Sequence, residues 1–362
     1  MRPGKTLAYQ ASVYSIRAPA CVANTVTTCP SNKGSLDTPV GVAERGGLSL
    51  KSVINQEGDT IVPTVWRIHD LMGLRDIALR ARVAATSSLR RARMEELCRK
   101  GKAPMYVPFY HRVANNSPND WTISRDTFAK QVDYCLEHFD PVGLDEVQRR
   151  VRVNESQRPT ITFTFDDGYA ENCEFALPLL VEKKMPTVYF VTVNCIRQQE
   201  SFPHDCESGV SLAVNTVSQI REFSDLGIEI GLHTRSHVDF ANVHSAAEIH
   251  SEIIDAKIEL EQIIGRKVRY FAFPFGMPAQ LTQAAIETVY EAGLSGFCSA
   301  YGAYNLPGRD AFHIRRFHGD GEFNRFLNWT SFDPRKVDGE PTVRYFLPPA
   351  TSFAETMASM TV

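Results

Sequence analysis

No apolar run in this chain approaches the ~20 residues that span a bilayer, which argues against an integral helical membrane protein. An excess of one charge is missing too. Lys and Arg number 39 against 42 Asp and Glu, a formal charge of −3, so no global field favours nucleic acid and none is expected as a partner. Cysteine is sparse: eight residues at 21, 29, 98, 135, 173, 195, 206 and 298, with no C-x-x-C pair, are too dilute for a disulfide scaffold. Thiolates are therefore not expected to hold a metal. The start of the chain carries Arg2 and Lys5 but no uninterrupted apolar stretch of about 7–15 residues, as a secretory leader would have. The location expected from this is cytoplasmic or peripheral to a membrane. What is present is ordinary for a globular protein: 43 % hydrophobic and 22 % charged residues over 362 positions. That length suits one barrel of about 250 residues with an extension.

Residues 1–60 are rich in Ser, Thr, Gly and Pro without a sustained period and read as loop or disordered extension. Residues 71–102 turn basic and helical. Arg75, Arg80, Arg82, Arg90, Arg91, Arg93, Arg99, Lys100 and Lys102 stand there against Asp76, Glu95 and Glu96. Such a helix either packs on its own domain, the favoured reading, or touches an anionic membrane surface. After Pro104, apolar runs at 105–110, 161–165, 187–193, 228–232, 270–273, 296–299 and 313–317 alternate with helical stretches. Ser245 and Glu248 form a capping-box pattern at the start of one of these, and Gly265 and Gly293 stand where helices should stop. Seven strands alternating with helices predict parallel pairing in an α/β barrel or open sheet. The partition is an extension over 1–103, a domain over 104–335 and a tail over 336–362.

The chemistry concentrates at strand ends. Thr162-Phe-Thr-Phe-Asp-Asp-Gly168 delivers Asp166 and Asp167 to the C-terminal end of a strand, and two adjacent carboxylates invite a cation. A second run, 228–232, is followed by His233-Thr-Arg-Ser-His237, whose imidazoles share a face if the segment is helical. One carboxylate and two imidazoles suit Zn²⁺ and leave positions open, which implies catalysis rather than a structural site. Phe271-Ala-Phe-Pro-Phe-Gly276 ends a third strand, and Phe275 in its turn is a candidate sugar-groove wall. Val107-Pro-Phe-Tyr-His111 closes the first strand on a histidine. Parallel pairing would gather all four at one mouth.

Thr164-Phe-Asp-Asp-Gly168, His233-x-x-x-His237 and Pro274-Phe-Gly276, in that order, resemble the NodB-type polysaccharide deacetylases, carbohydrate esterase family four, from about Val107 to Phe317. The resemblance implies an irregular (β/α)7-type barrel holding one divalent ion, Zn²⁺ with Co²⁺ or Ni²⁺ as alternatives. It further implies Asp166 as general base and Asp167, His233 and His237 as ligands. Tyr169, through a backbone N–H toward the oxyanion, and Phe273, Pro274 and Phe275 would meet substrate. Two departures stand out. Ala272 occupies the place of a base-orienting Arg, so Arg315 or Arg316 is the candidate substitute. No Leu-x-His acid motif closes the domain, although His318 follows the last strand. Tyr110-His-Arg-Val113 instead resembles a permuted branch that includes poly-N-acetylglucosamine deacetylases, which makes His111 the expected general acid and His318 the lesser candidate. The implied activity is hydrolysis of N-acetyl groups on a glycan of N-acetylglucosamine. The rivals are a catalytically impaired glycan- or membrane-binding relative and an O-acetyl esterase on a xylan-like polymer.

Overall fold

Strands rich in aromatic and β-branched residues form the centre of the domain. The computed structural model describes residues 68–319 and 321–348, which lie within one compact unit, Leu50–Val362. The expectations for residues 1–60 fall outside the described residues. Eight short strands make the main sheet: β1 Pro108–Tyr110, β2 Phe163–Phe165, β3 Thr187–Val191, β4 Glu229–Leu232, β5 Tyr270–Ala272, β6 Gly296–Cys298, β7 His313–Ile314 and β8 Phe317–His318. Their order is β7-β6-β5-β4-β3-β2-β1-β8, parallel throughout, a curled sheet with helices around it.

The final strand expected over 313–317 is in fact two strands on opposite edges. Ile314 pairs with Cys298 on β6, while Phe317 pairs with Pro108 on β1. Arg315 and Arg316 make the step between them. One run of six residues thereby touches both edges of the curl and closes it. The first two expected strands are also broken, at Val107 and Thr162. Thr160–Ile161 pairs with Met105–Tyr106 on one side and with Asp140–Pro141 on the other in a separate three-stranded sheet.

Period-two alternation sorts the side chains into two layers. Val107, Val188, Phe190, Tyr270, Ala272, Cys298 and Ile314 cluster together inside the curl. Phe163, Phe165, Tyr189, Val191, Phe271 and Phe297 belong instead to the larger core beneath the helices. Gly231 on β4 lets Phe190 lie close, since a Cβ there would fall 2.4 Å from its ring.

The basic helix runs from Ile68 to Arg99 and packs on the domain. Arg90 is buried and donates to Asn328 and Ser331, and both Arg90 and Arg82 reach the Asp333 carboxylate. The tail expected from residue 336 begins inside the helix Pro334–Asp338, and Val343, Tyr345 and Leu347 pack against the core. Asp333 is held at about 2, first by Arg335, with burial opposing. A depressed carboxyl adds stability above its unfolded pKa of about 4 and loses it as pH falls toward 2. Asp333→Ala should cost about 2 kcal/mol, because Arg90 is left buried without its anion. Thermal melts at pH 7 and pH 2.5 check both statements: the two proteins should differ at pH 7, and the gap should narrow at the lower pH.

Candidate active site

Asp166 follows β2 directly, its N–H bonded to the Tyr110 carbonyl on β1. Asp167 takes a left-handed φ of 73° and Gly168 one of 103°, so the chain turns sharply and presents both carboxylates at the same mouth. Both are buried. Their surroundings differ.

Arg316 enters from the β7–β8 step. It is fully buried, and its guanidinium meets Asp166 with both arms, at 2.7 Å to Oδ1 and 2.8 Å to Oδ2. Its Nε donates to the Ser299 carbonyl, and the rings of Phe109 and Phe190 flank it at 4.7 and 5.4 Å. Burial alone would raise the Asp166 carboxyl, but Arg316 and then His233 outweigh it and hold it below the ordinary carboxylate range. The group is therefore an anion of fixed orientation. Each oxygen retains lone-pair capacity beyond its one bond to Arg316, so it can still accept a proton from water. Arg315, the other candidate, points away and pairs with Glu340.

Asp167 faces imidazoles. His233 Nε2 and His237 Nε2 each lie 3.3 Å from its Oδ1. That oxygen is nonetheless buried without a hydrogen-bond partner. Three donor atoms converge within 4.8 Å, an arrangement that suits a cation between them better than direct bonding. His233 Nδ1 sits 2.8 Å from the Ala272 carbonyl, which fixes it as the protonated nitrogen and turns the Nε2 lone pair toward Asp167. Nitrogen and oxygen donors without thiolate fit Zn²⁺, Co²⁺ or Ni²⁺.

The convergence does not arise from a helix, as the spacing suggested. Residues 233–237 are a loop with left-handed Thr234 and His237, held by the Thr234 hydroxyl on the His237 N–H. Glu252 completes the support: its carboxylate accepts from the N–H groups of Arg235 and Ser236 and from the Ser236 hydroxyl. Glu252 lies in a π-helical segment, Ser251–Asp255, which interrupts the long helix expected there. Such local widening redirects a side chain at a functional site. The capping box at the start of that helix is half formed, with the Ser245 hydroxyl accepting from Glu248 N–H.

Two expected substrate contacts, Phe273 and Pro274, need correction. Phe273 continues the outward face of β5, and its ring is buried among Phe240, Phe271 and Phe297. Pro274 is buried beside it. The Tyr169 side chain is buried as well, donating its hydroxyl to Asp205, so only its backbone is a candidate for substrate. Phe275 differs: it is 55 % exposed, with its ring 5.3 Å from that of His237.

The two candidate acids stand together. β8 lies beside β1, and the rings of His111 and His318 are 5.7 Å apart, with Phe109 touching both. His111 Nδ1 is buried without a partner. Burial lowers the His111 pKa, while Asp167 and then Asp166 oppose the shift.

A polysaccharide deacetylase family profile matches residues 153–297, the stretch that carries Asp166, Asp167, His233 and His237. The chain carries a polysaccharide deacetylase domain. A protein of Bacillus subtilis (strain 168) with the provisional designation polysaccharide deacetylase YxkH is 26 % identical over 202 residues, 54 % of this chain and 66 % of that one. The match therefore spans slightly less than two-thirds of the relative. Among solved structures, IcaB from Ammonifex degensii shares the fold of the deacetylase domain with a TM-score of 0.53 and 24 % identity, over 63 % of this chain and 97 % of its own. The Streptococcus pyogenes deacetylase PplD, solved in complex with acetate, does so with 0.54 and 18 %, over 64 % and 99 %. Within the deacetylase domain, sequence reasoning weighed Arg315 and Arg316 as the orienting residue and settled on Arg316, the one that meets Asp166. It missed Glu252 altogether, because nothing in the sequence marks a helical glutamate as facing a loop sixteen residues earlier.

Proposed function

We propose that the deacetylase domain is a metal-dependent hydrolase that removes N-acetyl groups from a glycan containing N-acetylglucosamine. The observation that carries this reading is the pairing of an arginine-held carboxylate, Asp166, with the partnerless Asp167 oxygen between two imidazoles. A divalent ion held by Asp167, His233 and His237 would supply Lewis acidity toward an acetamide carbonyl and lower the pKa of water. Asp166 takes the proton of the attacking water, and Arg316 keeps its carboxylate aimed throughout. A backbone N–H near Tyr169 donates to the oxygen that gains charge. His111 gives a proton to the departing amine, which would otherwise leave poorly. Acetate and a free amino sugar result.

Acetate released from chitooligosaccharides and from acetylated xylan, by metal-stripped and reconstituted protein, tests the reading. Metal-restored release from the amide substrate is the expected result, and release from xylan alone would replace it with an esterase. His111→Ala should keep fold and metal and slow amide hydrolysis by ~10²–10⁴, the scale of general-acid loss. The defect should shrink on an aryl acetate, whose leaving group needs little protonation. A collapse confined to His318→Ala would transfer the role to the neighbouring ring.

A further inference from the structure

One exposed tryptophan stands on the acid side of the mouth. Trp121 is 39 % exposed, with its indole 6.3 Å from the His111 ring and edge-on to His204 at 5.6 Å. The segment that carries it is tightly fixed. Thr122–Ile123 pairs with Arg112–Val113, the residues directly after His111. Arg112 is fully buried, and its guanidinium gathers the carbonyls of Asn116 and Ser117, the Asn116 side chain, the Thr122 hydroxyl and Glu171. Asn119 then holds the Trp121 N–H and reaches toward Asp205. A buried arginine that orders a surface loop around an open indole is a preorganised arrangement, with its ordering cost met before any ligand arrives.

We infer that Trp121 is the platform on which the sugar ring bearing the released amine stacks. The inference rests on the deacetylase reading, because that reading puts the leaving amine beside His111 and hence its pyranose next to the indole. One face of a pyranose presents C–H groups, which the negative face of an indole attracts while excluding water. Phe275 is a second exposed aromatic ring at the mouth, beside His237. Trp121 thus confers preference for a ring-bearing amide over a bare acetyl donor. It touches substrate without taking part in proton transfer.

Trp121→Ala should raise KM for chitooligosaccharides roughly tenfold, change kcat little, and leave kcat/KM on ethyl acetate, which has no ring to stack, unaltered. Trp121→Phe should recover most of the affinity. Binding can be read independently of turnover: titrating metal-loaded protein with chitooligosaccharide should change the tryptophan fluorescence, and the change should vanish in Trp121→Phe, leaving the other two of the three tryptophans silent. An unchanged KM in an active Trp121→Ala protein overturns the inference and leaves the deacetylase reading standing. A fluorescence change that depends on Trp121, without acetate release from either substrate, overturns the deacetylase reading and, with it, the assignment of the stacked ring as the one that bears the amine. Equal losses on glycan and ethyl acetate would make Trp121 a structural residue and overturn the inference.

Discussion

Asp166→Asn is expected to keep its divalent ion while acetate release falls by about three orders of magnitude, with a lower melting temperature because Arg316 is left buried without its anion. The amide nearly reproduces the carboxylate's shape but cannot take a proton from water, and loss of a general base costs ~10²–10⁴. The geometry adds a sharper expectation for its partner. Arg316→Lys keeps a cation against Asp166 but replaces a planar two-armed clamp, at 2.7 and 2.8 Å, with a single ammonium. The base then keeps its charge and loses its aim, so kcat should drop by ten- to a hundredfold with KM little changed. Arg316→Ala is less informative, since a buried anion left alone destabilises by about 3–5 kcal/mol, a large share of a domain's stability. Acetate assays on melt-matched proteins decide the matter. Full activity in Arg316→Lys would reduce that bidentate contact to a structural tie.

Loss of the ion should be the second large effect. His233→Ala or His237→Ala removes one of three converging donors, and elemental analysis should show occupancy falling from about one ion per chain to near zero. Asp167→Asn should act likewise, whereas Asp166→Asn should not. Glu252→Gln tests the support of the loop: a weaker acceptor for two N–H groups should loosen His237 and weaken the metal ten- to a hundredfold, the usual range for groups that orient ligands. Full occupancy in both histidine variants would remove them from the site.

Much of the barrel was legible because its strands are short aromatic and β-branched runs between well-marked helices. What escaped notice shares a physical cause: it depends on contacts across long stretches of chain. Residues 313–317 read as one strand, because no local pattern shows that its two ends meet β6 and β1 on opposite edges. Arg315 and Arg316 are indistinguishable in sequence until the curl turns one inward and the other toward Glu340. The His-x-x-x-His spacing was legible as a pair of ligands but misled about the backbone, since left-handed residues at Thr234 and His237 can converge two imidazoles as well as a helix can. Phe273 and Phe275 share a residue type two positions apart, and only the turn between them separates core from mouth.

The step between β7 and β8 also bears on how the protein is made. Asp166 and Arg316 are 150 positions apart, and the chain leaves the ribosome from its N-terminal end. Strands β1 to β6 and Asp167, His233 and His237 precede residue 313, so they can assemble while the rest is still being synthesised. Until residues 313–318 arrive, β1 and β6 remain bare edges, and Phe109 and Phe190 have no guanidinium between them. Capping those edges and orienting the Asp166 carboxylate are then the same event. A chain cut short before His313 would keep Asp167, His233 and His237 yet, on the proposed function, should be inactive and prone to pairing with its neighbours through the open edges.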